Sequence, residues 1–171
     1  AKTILELGAG TGRVVKCLKL SNRKHNITAL EVSKKLFNVL HERFRDSVNC
    51  IHADFKNSKL TDSFDVILWM WSGIIDFSKE EQAYSLQKCF HLLKSSGSVV
   101  IAVPKIGFKT IAEHDDDQNL TWNTEFGTLK CYIPNKSEII RYLDGFDFKL
   151  ESIEYTTDTN RKRQLYKIYK N

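Results

Sequence analysis

An α/β fold built on a mostly parallel sheet is what this sequence predicts, on three observations. Short apolar strands alternate with helical patterns, the first strand runs into a glycine-rich turn, and an acidic residue stands at the end of each of the first three strands. The segment Thr3-Ile4-Leu5-Glu6-Leu7-Gly8-Ala9-Gly10-Thr11-Gly12 carries the first of these signals. Its glycines permit positive φ and remove the Cβ atoms that would keep a ligand off the main chain. A dinucleotide fingerprint spaces its glycines G-x-G-x-x-G and aims a helix N-terminus at a pyrophosphate. Here the spacing is G-x-G-x-G, and Glu6 at its mouth suits a ligand that carries positive charge rather than a diphosphate.

The elements follow in order. Arg13 to Leu20, apolar at Val14, Val15 and Leu18, predicts a helix, and Ile27 to Glu31 a second strand that ends in a carboxylate 19 residues beyond Gly12. That register reaches the ribose hydroxyls of an adenosine-type ligand, roughly 20 residues after such a turn. Ser33 is a plausible N-cap for a helix with Leu36, Val39, Leu40 and Phe44 on one face. Val48 to Phe55 reads as a third strand presenting Asp54, and Phe64 to Trp71 as a fourth, an almost unbroken apolar run suited to a central parallel strand. By alternation Trp69 and Trp71 share a side of that strand, which makes them either an aromatic wall for cofactor or for a cationic substrate or simply part of the core. Ser78 and Glu81 form a capping-box pattern for a helix to about Lys94, Ser95-Ser96-Gly97 a turn, and Ser98 to Val103 a fifth strand. Lys105 to Asn123 reads as a polar excursion, followed by an alternating segment from Gly127 to Pro134 and a helix from near Asn135 or Ser137 to about Gly145. Phe146 to Thr157 and Arg163 to Tyr169 then predict two antiparallel strands.

The pattern acidic-x-G-x-G-x-G, with Glu31 and Asp54 at the next two strand ends, resembles the class I S-adenosylmethionine-dependent methyltransferases, of the small-molecule, methyltransferase-domain type. The resemblance implies a Rossmann-like seven-stranded, mostly parallel sheet with one antiparallel strand near the C-terminus and helices on both faces. It implies S-adenosylmethionine as cofactor, released as S-adenosylhomocysteine. Glu6 would lie by the amino-acid end of the cofactor, Gly8, Ala9, Gly10 and Gly12 would cradle it, and Glu31 with Val32 would meet the ribose. Asp54 would accept from the adenine amino group, the Phe55 amide would meet a ring nitrogen, and Trp69 would complete the cofactor site. Leu92-Leu93-Lys94-Ser95-Ser96-Gly97 is similar to a family segment between helix and fifth strand, with serines in place of proline and one glycine. Family members usually carry helices ahead of the first strand, so residues 1–171 are expected to be a single methyltransferase domain lacking those helices.

Composition agrees. At 171 residues and 42% apolar the chain suits one domain, with no repeat, no low-complexity run and only Pro104 and Pro134. The apolar stretch from Val66 to Phe77 is too short for a membrane helix, and no signal peptide opens the chain, so a cytoplasmic location is expected. Cys17, Cys50, Cys89 and Cys131 are scattered without a C-x-x-C pair; they read as reduced thiols, and no metal is expected. Of the net +5, residues 158 to 171 hold five basic residues against Asp158, which leaves +1 for the first 157. That is a thin footprint for nucleic acid, and edge-strand protection accounts for it.

The acceptor is the open question. Methyltransferases of planar amines show an Asn/Asp-Pro-Pro-aromatic motif after the fourth strand; this chain has Trp69-Met70-Trp71-Ser72-Gly73-Ile74-Ile75-Asp76-Phe77. The leading expectation is a small-molecule acceptor, with Trp71 and Phe77 as substrate contacts and His114 or Asp76 as candidate general base. The alternatives are an enzyme acting on RNA or protein, a non-catalytic methyltransferase-like binding subunit, and a nicotinamide-dependent oxidoreductase, which the glycine spacing and Glu6 disfavour.

Overall fold

The computed structural model describes residues 1–21, 23–106, 113–114, 118–124 and 127–171. The chain runs β1 (Thr3–Leu7), α1 (Arg13–Leu20), β2 (Asn26–Glu31), α2 (Lys34–Phe44), β3 (Asn49–His52), β4 (Phe64–Trp69), α3 (Lys79–Leu92) and β5 (Leu93–Pro104). It continues with β6 (Glu113–His114), β7 (Asn119–Thr124), β8 (Gly127–Tyr132), α4 (Lys136–Tyr142), β9 (Phe148–Thr156) and β10 (Lys162–Lys170). Seven strands form one sheet in the order β3-β2-β1-β4-β5-β10-β9, and β6, β7 and β8 form a second. β1 to β5 are mutually parallel, and β10 is antiparallel to both of its neighbours, so it is the one strand of the large sheet that runs the other way. This is the predicted sheet.

Its two faces are covered unequally. Leu5, Leu7, Ile67, Trp69, Val99, Ile101, Tyr166 and Ile168 project into the main core, beneath Leu86, Cys89 and Phe90 of α3 and Ile139 and Tyr142 of α4. On the other face Ile27 and Ala29 meet Val15 of α1 and Leu40 of α2. Farther along that second face Val66, Leu68, Val100 and Leu165 are only partly covered, and Ile153 is 50% exposed. Both predicted N-caps hold: the Ser33 hydroxyl accepts from the Leu36 amide, and Ser78 with Glu81 completes a reciprocal capping box.

Four boundaries depart from expectation. β3 stops at His52, because the Asp54 carboxylate accepts from the Lys56 amide and caps a 3-10 turn over Phe55–Asn57. β4 stops at Trp69, because Trp71 and Ser72 both take left-handed φ values of 59° and 70°. α3 ends at Leu92, and the expected turn at Ser95 to Gly97 lies inside β5, whose pairing with β4 shifts register between Phe64 and Val66. A Cβ on Gly97 would stand 2.9 Å from the Lys94 carbonyl oxygen, so only glycine fits that irregularity. The polar excursion also contains β6 and β7: Leu120 is buried, and the Gln118 amide reaches the Tyr132 hydroxyl at 2.8 Å and the Glu138 carboxylate at 2.6 Å, giving a nominally polar stretch its anchor.

Candidate cofactor and acceptor site

The glycine turn is built by β1 and fastened to β2. The Ala9 amide donates to the Leu30 carbonyl at 3.0 Å, and the Gly12 amide to the Ala9 carbonyl at 2.9 Å. Gly8, Gly10 and Gly12 all have positive φ, at 65°, 58° and 85°. Their surroundings separate them. A Cβ added at Gly8 or Gly10 meets nothing within 4 Å, whereas one at Gly12 would stand 2.4 Å from the Phe44 ring and 2.8 Å from Leu40. Gly8 and Gly10 therefore open onto free space, while Gly12 lets α1 pack against α2.

Glu6 is 3% exposed, and its Oε2 is buried without a hydrogen-bond partner. Burial pushes this carboxyl up to about 7; the Val15 amide and the Arg13 guanidinium oppose the shift, and Glu31 adds to it. Glu31 is buried too, but each of its oxygens has a partner: Oε2 accepts from the Gly10 amide at 2.8 Å and Oε1 from the Ser33 amide at 2.7 Å. One carboxylate thus braces the glycine turn against the start of α2. Val32, just beyond it, is exposed. The register Leu7↔Leu30 and Glu31↔His52 aligns the exits of β1, β2 and β3, so Glu6, Glu31 and Asp54 follow one edge of the sheet.

Beyond β4 the two tryptophans part company. Trp69 is 2% exposed, edge-on to Phe55 at 6.1 Å and to Phe77 at 5.4 Å between ring centroids, so it packs beneath the site instead of lining it. Trp71 is 49% exposed and carries the Arg13 guanidinium 3.3 Å from its ring centroid, with that of Arg163 at 5.6 Å. The shared aromatic wall is therefore absent, and a cationic acceptor at Trp71 would meet two like charges. Phe77 is half-buried, with the Lys56 ammonium 5.0 Å from its ring centroid. Asp76 is exposed and accepts a weak hydrogen bond from the Cys131 thiol at 3.6 Å. His114 lies in β6 with its side chain outside the described residues, as are Asp115, Asp116 and Asp117. Among the described residues no group of His, Cys, Asp and Glu could hold a metal ion, and no helix is long and apolar enough to cross a membrane.

Sequence reading missed Arg13 and Arg163. Arg163 sits in the basic run that reads as edge protection, yet it is 8% exposed and its Nη2 donates to the Ser72 hydroxyl at 2.6 Å. The available signal was alternation: Arg163 shares its side of β10 with Leu165, a half-buried position.

Residues 4–97, more than half of the chain, match the methyltransferase-domain family. The chain belongs to that family. This methyltransferase domain is 33% identical over 99 residues to a demethylmenaquinone methyltransferase from Thermotoga maritima, an alignment over 57% of this chain that spans 42% of the relative. Its fold is that of solved S-adenosylmethionine-dependent methyltransferases. One from Methanosarcina mazei superposes with a TM-score of 0.77 at 14% identity, over 99% of this chain and 92% of that one. An amino pentose methyltransferase from Micromonospora echinaspora does so with a TM-score of 0.75 at 12% identity, over 100% and 84%.

Proposed function

We propose that this chain is an S-adenosylmethionine-dependent methyltransferase that acts on a small-molecule acceptor, the methyl group passing in line to a nucleophilic atom. The observation that carries the reading is Glu6, a buried carboxylate with an unpartnered oxygen beside two left-handed glycines that open onto free space. Such a group calls for a cation. The ammonium of S-adenosylmethionine meets that need, and the residues around Glu6 fit the rest of the cofactor. Gly8 and Gly10 let a nucleoside lie against the main chain, and amides at the start of α1 face a carboxylate favourably. Glu31 is already oriented by two amides and keeps lone pairs for ribose hydroxyls beside Val32, with Asp54 and Phe55 at the adenine end.

When bound, the cofactor supplies a methyl group already activated by the sulfonium. The chain's contribution is orientation, worth on the order of 7 to 11 kcal/mol when two reactants are aligned. Trp71 and the turn behind it face the acceptor side, and Trp69 and Phe77 hold that turn from below. The small-molecule reading is supported by relatives named for methylating demethylmenaquinone and an amino pentose, and by another solved as a glycopeptide N-methyltransferase. Calorimetry tests the cofactor: S-adenosylhomocysteine binds and NAD does not, and silence toward both sinks the reading. A screen of metabolite extracts for mass gains of one methyl group then finds the acceptor.

A further inference from the structure

Positive charge gathers on the acceptor side of this site with no carboxylate in ion-pair contact among the described residues, although Arg13 is near enough to Glu6 to favour its ionised form. Arg13, the first residue of α1, stacks on Trp71, and Arg163 reaches the same indole from β10, whose start pairs with the end of β5 through Arg163↔Pro104. Arg163 is buried, its Nη2 held by the Ser72 hydroxyl at 2.6 Å and the Ala102 carbonyl at 3.4 Å, and its Nε has no hydrogen-bond partner. Neither guanidinium is in an ion pair with a carboxylate among the described residues. Lys105 nearby is already paired with Glu154, so among the described residues the unpaired charge belongs to the arginines. Burial and the charges of Arg161 and Arg13 disfavour the Arg163 cation, and the Tyr155 hydroxyl offsets them in part. The turn between the arginines holds two consecutive non-glycine residues, Trp71 and Ser72, at positive φ, a conformation that persists only where the surroundings impose it.

A buried guanidinium without a counter-charge is costly unless an anion completes it, and the planar guanidinium suits carboxylate and phosphate alike. We propose that Arg13, Trp71 and Arg163 form an anion-recognising wall of the acceptor pocket, so that the methyl acceptor is a small molecule bearing a carboxylate or a phosphate. This rests on the methyltransferase reading above and adds the acceptor's chemical class. Trp71 at the end of β4 and Arg163 on β10 stand away from Glu6, whereas Arg13, at the start of α1, bridges the two sides and is close enough to Glu6 to favour its carboxylate.

Calorimetry on the chain saturated with S-adenosylhomocysteine at pH 8 tests the wall with four probes: benzoate, phenyl phosphate, benzyl alcohol and benzylamine. At least one of the two anions binds, and the alcohol and the amine do not. Arg13→Gln and Arg163→Gln each weaken anion binding by about tenfold or more, the loss expected for a charge-assisted hydrogen bond, while affinity for S-adenosylhomocysteine stays near that of the parent. Arg13 is exposed, so R13Q decides even where R163Q unsettles the turn through Ser72. The proposal is overturned if neither anion binds, if benzylamine or benzyl alcohol binds as well as benzoate, or if R13Q leaves anion affinity unchanged. It is equally overturned if the anions compete with S-adenosylhomocysteine and R13Q loses that ligand, since the arginines then serve the cofactor's own carboxylate. Should the parent fail to bind S-adenosylhomocysteine, the methyltransferase reading falls, and the same four probes on the free protein still decide the wall.

Discussion

Glu6 is buried, and that burial pushes its carboxyl above the ordinary carboxylate range. With an ordinary value of 4.5 raised to about 7, the folded chain binds more protons than the unfolded chain between those two pH values. Stability therefore falls as pH rises through that window, by at most about 3 kcal/mol from this residue at 1.36 kcal/mol per unit. Glu6→Gln should flatten that fall, melting higher than the parent at pH 8 but not near pH 4.5, while losing most affinity for S-adenosylhomocysteine; thermal melts and calorimetry at both pH values check it. A cation arriving at Glu6 favours the carboxylate, so cofactor affinity in the parent should drop below pH 7, with proton release visible as a buffer-dependent heat. The glycines predict a different split. Gly12→Ala forces a Cβ into Phe44 at a left-handed φ and should cost roughly 2 to 4 kcal/mol of stability, whereas Gly10→Ala meets open space, should cost only the roughly 1 to 2 kcal/mol of its left-handed backbone, and should in addition lower cofactor affinity. Sequence made the turn legible because glycine spacing is local. It could not show which glycine serves packing, since Phe44 reaches Gly12 only through the fold.

Among the elements, the turn after β4 decides the site's shape. It is pinned from three directions: the Ser72 amide donates to the Ala102 carbonyl at 2.9 Å, Arg163 holds the Ser72 hydroxyl, and Gln82 of α3 reaches under the turn. The fully buried Gln82 shares its Nε2 hydrogens among the carbonyls of Ile74 at 3.1 Å, Phe77 at 3.1 Å and Tyr132 at 2.8 Å, tying the turn to the end of β8. Gln82→Ala removes a donor from each of those carbonyls and should destabilise by about 1 to 3 kcal/mol, with hydrogen exchange rising first in residues 73–77 and 127–132. Periodicity alone ran β4 on through Trp71, because apolar residues continue there and nothing local announces two consecutive left-handed residues. The small sheet was hidden for a related reason: β7 is fixed by Leu120 and by the neighbouring Gln118, whose partners lie 14 and 20 residues away.

For the molecule as a whole, a seven-stranded, mostly parallel sheet with one antiparallel strand was legible through the family resemblance that the glycine turn and the successive acidic strand ends carry; the order β3-β2-β1-β4-β5-β10-β9 is what the structure adds. The exposure of Val66, Leu68, Val100 and Ile153 on one face was not, since an apolar alternation looks the same covered or bare. Removing residues 162–171 strips β5 and β9 of their shared neighbour and takes Tyr166 and Ile168 out of the core. Such a chain should show no cooperative thermal transition by circular dichroism, and retention of one would contradict this account of the core. The position of β10 also bears on how the chain is made. It is the last described strand to leave the ribosome, yet it belongs between two strands made before it, so β5 and β9 must wait with open edges while it is synthesised. Assembly cannot follow the order of translation, and the guanidinium of Arg163 joins the pocket only when that final insertion closes the sheet.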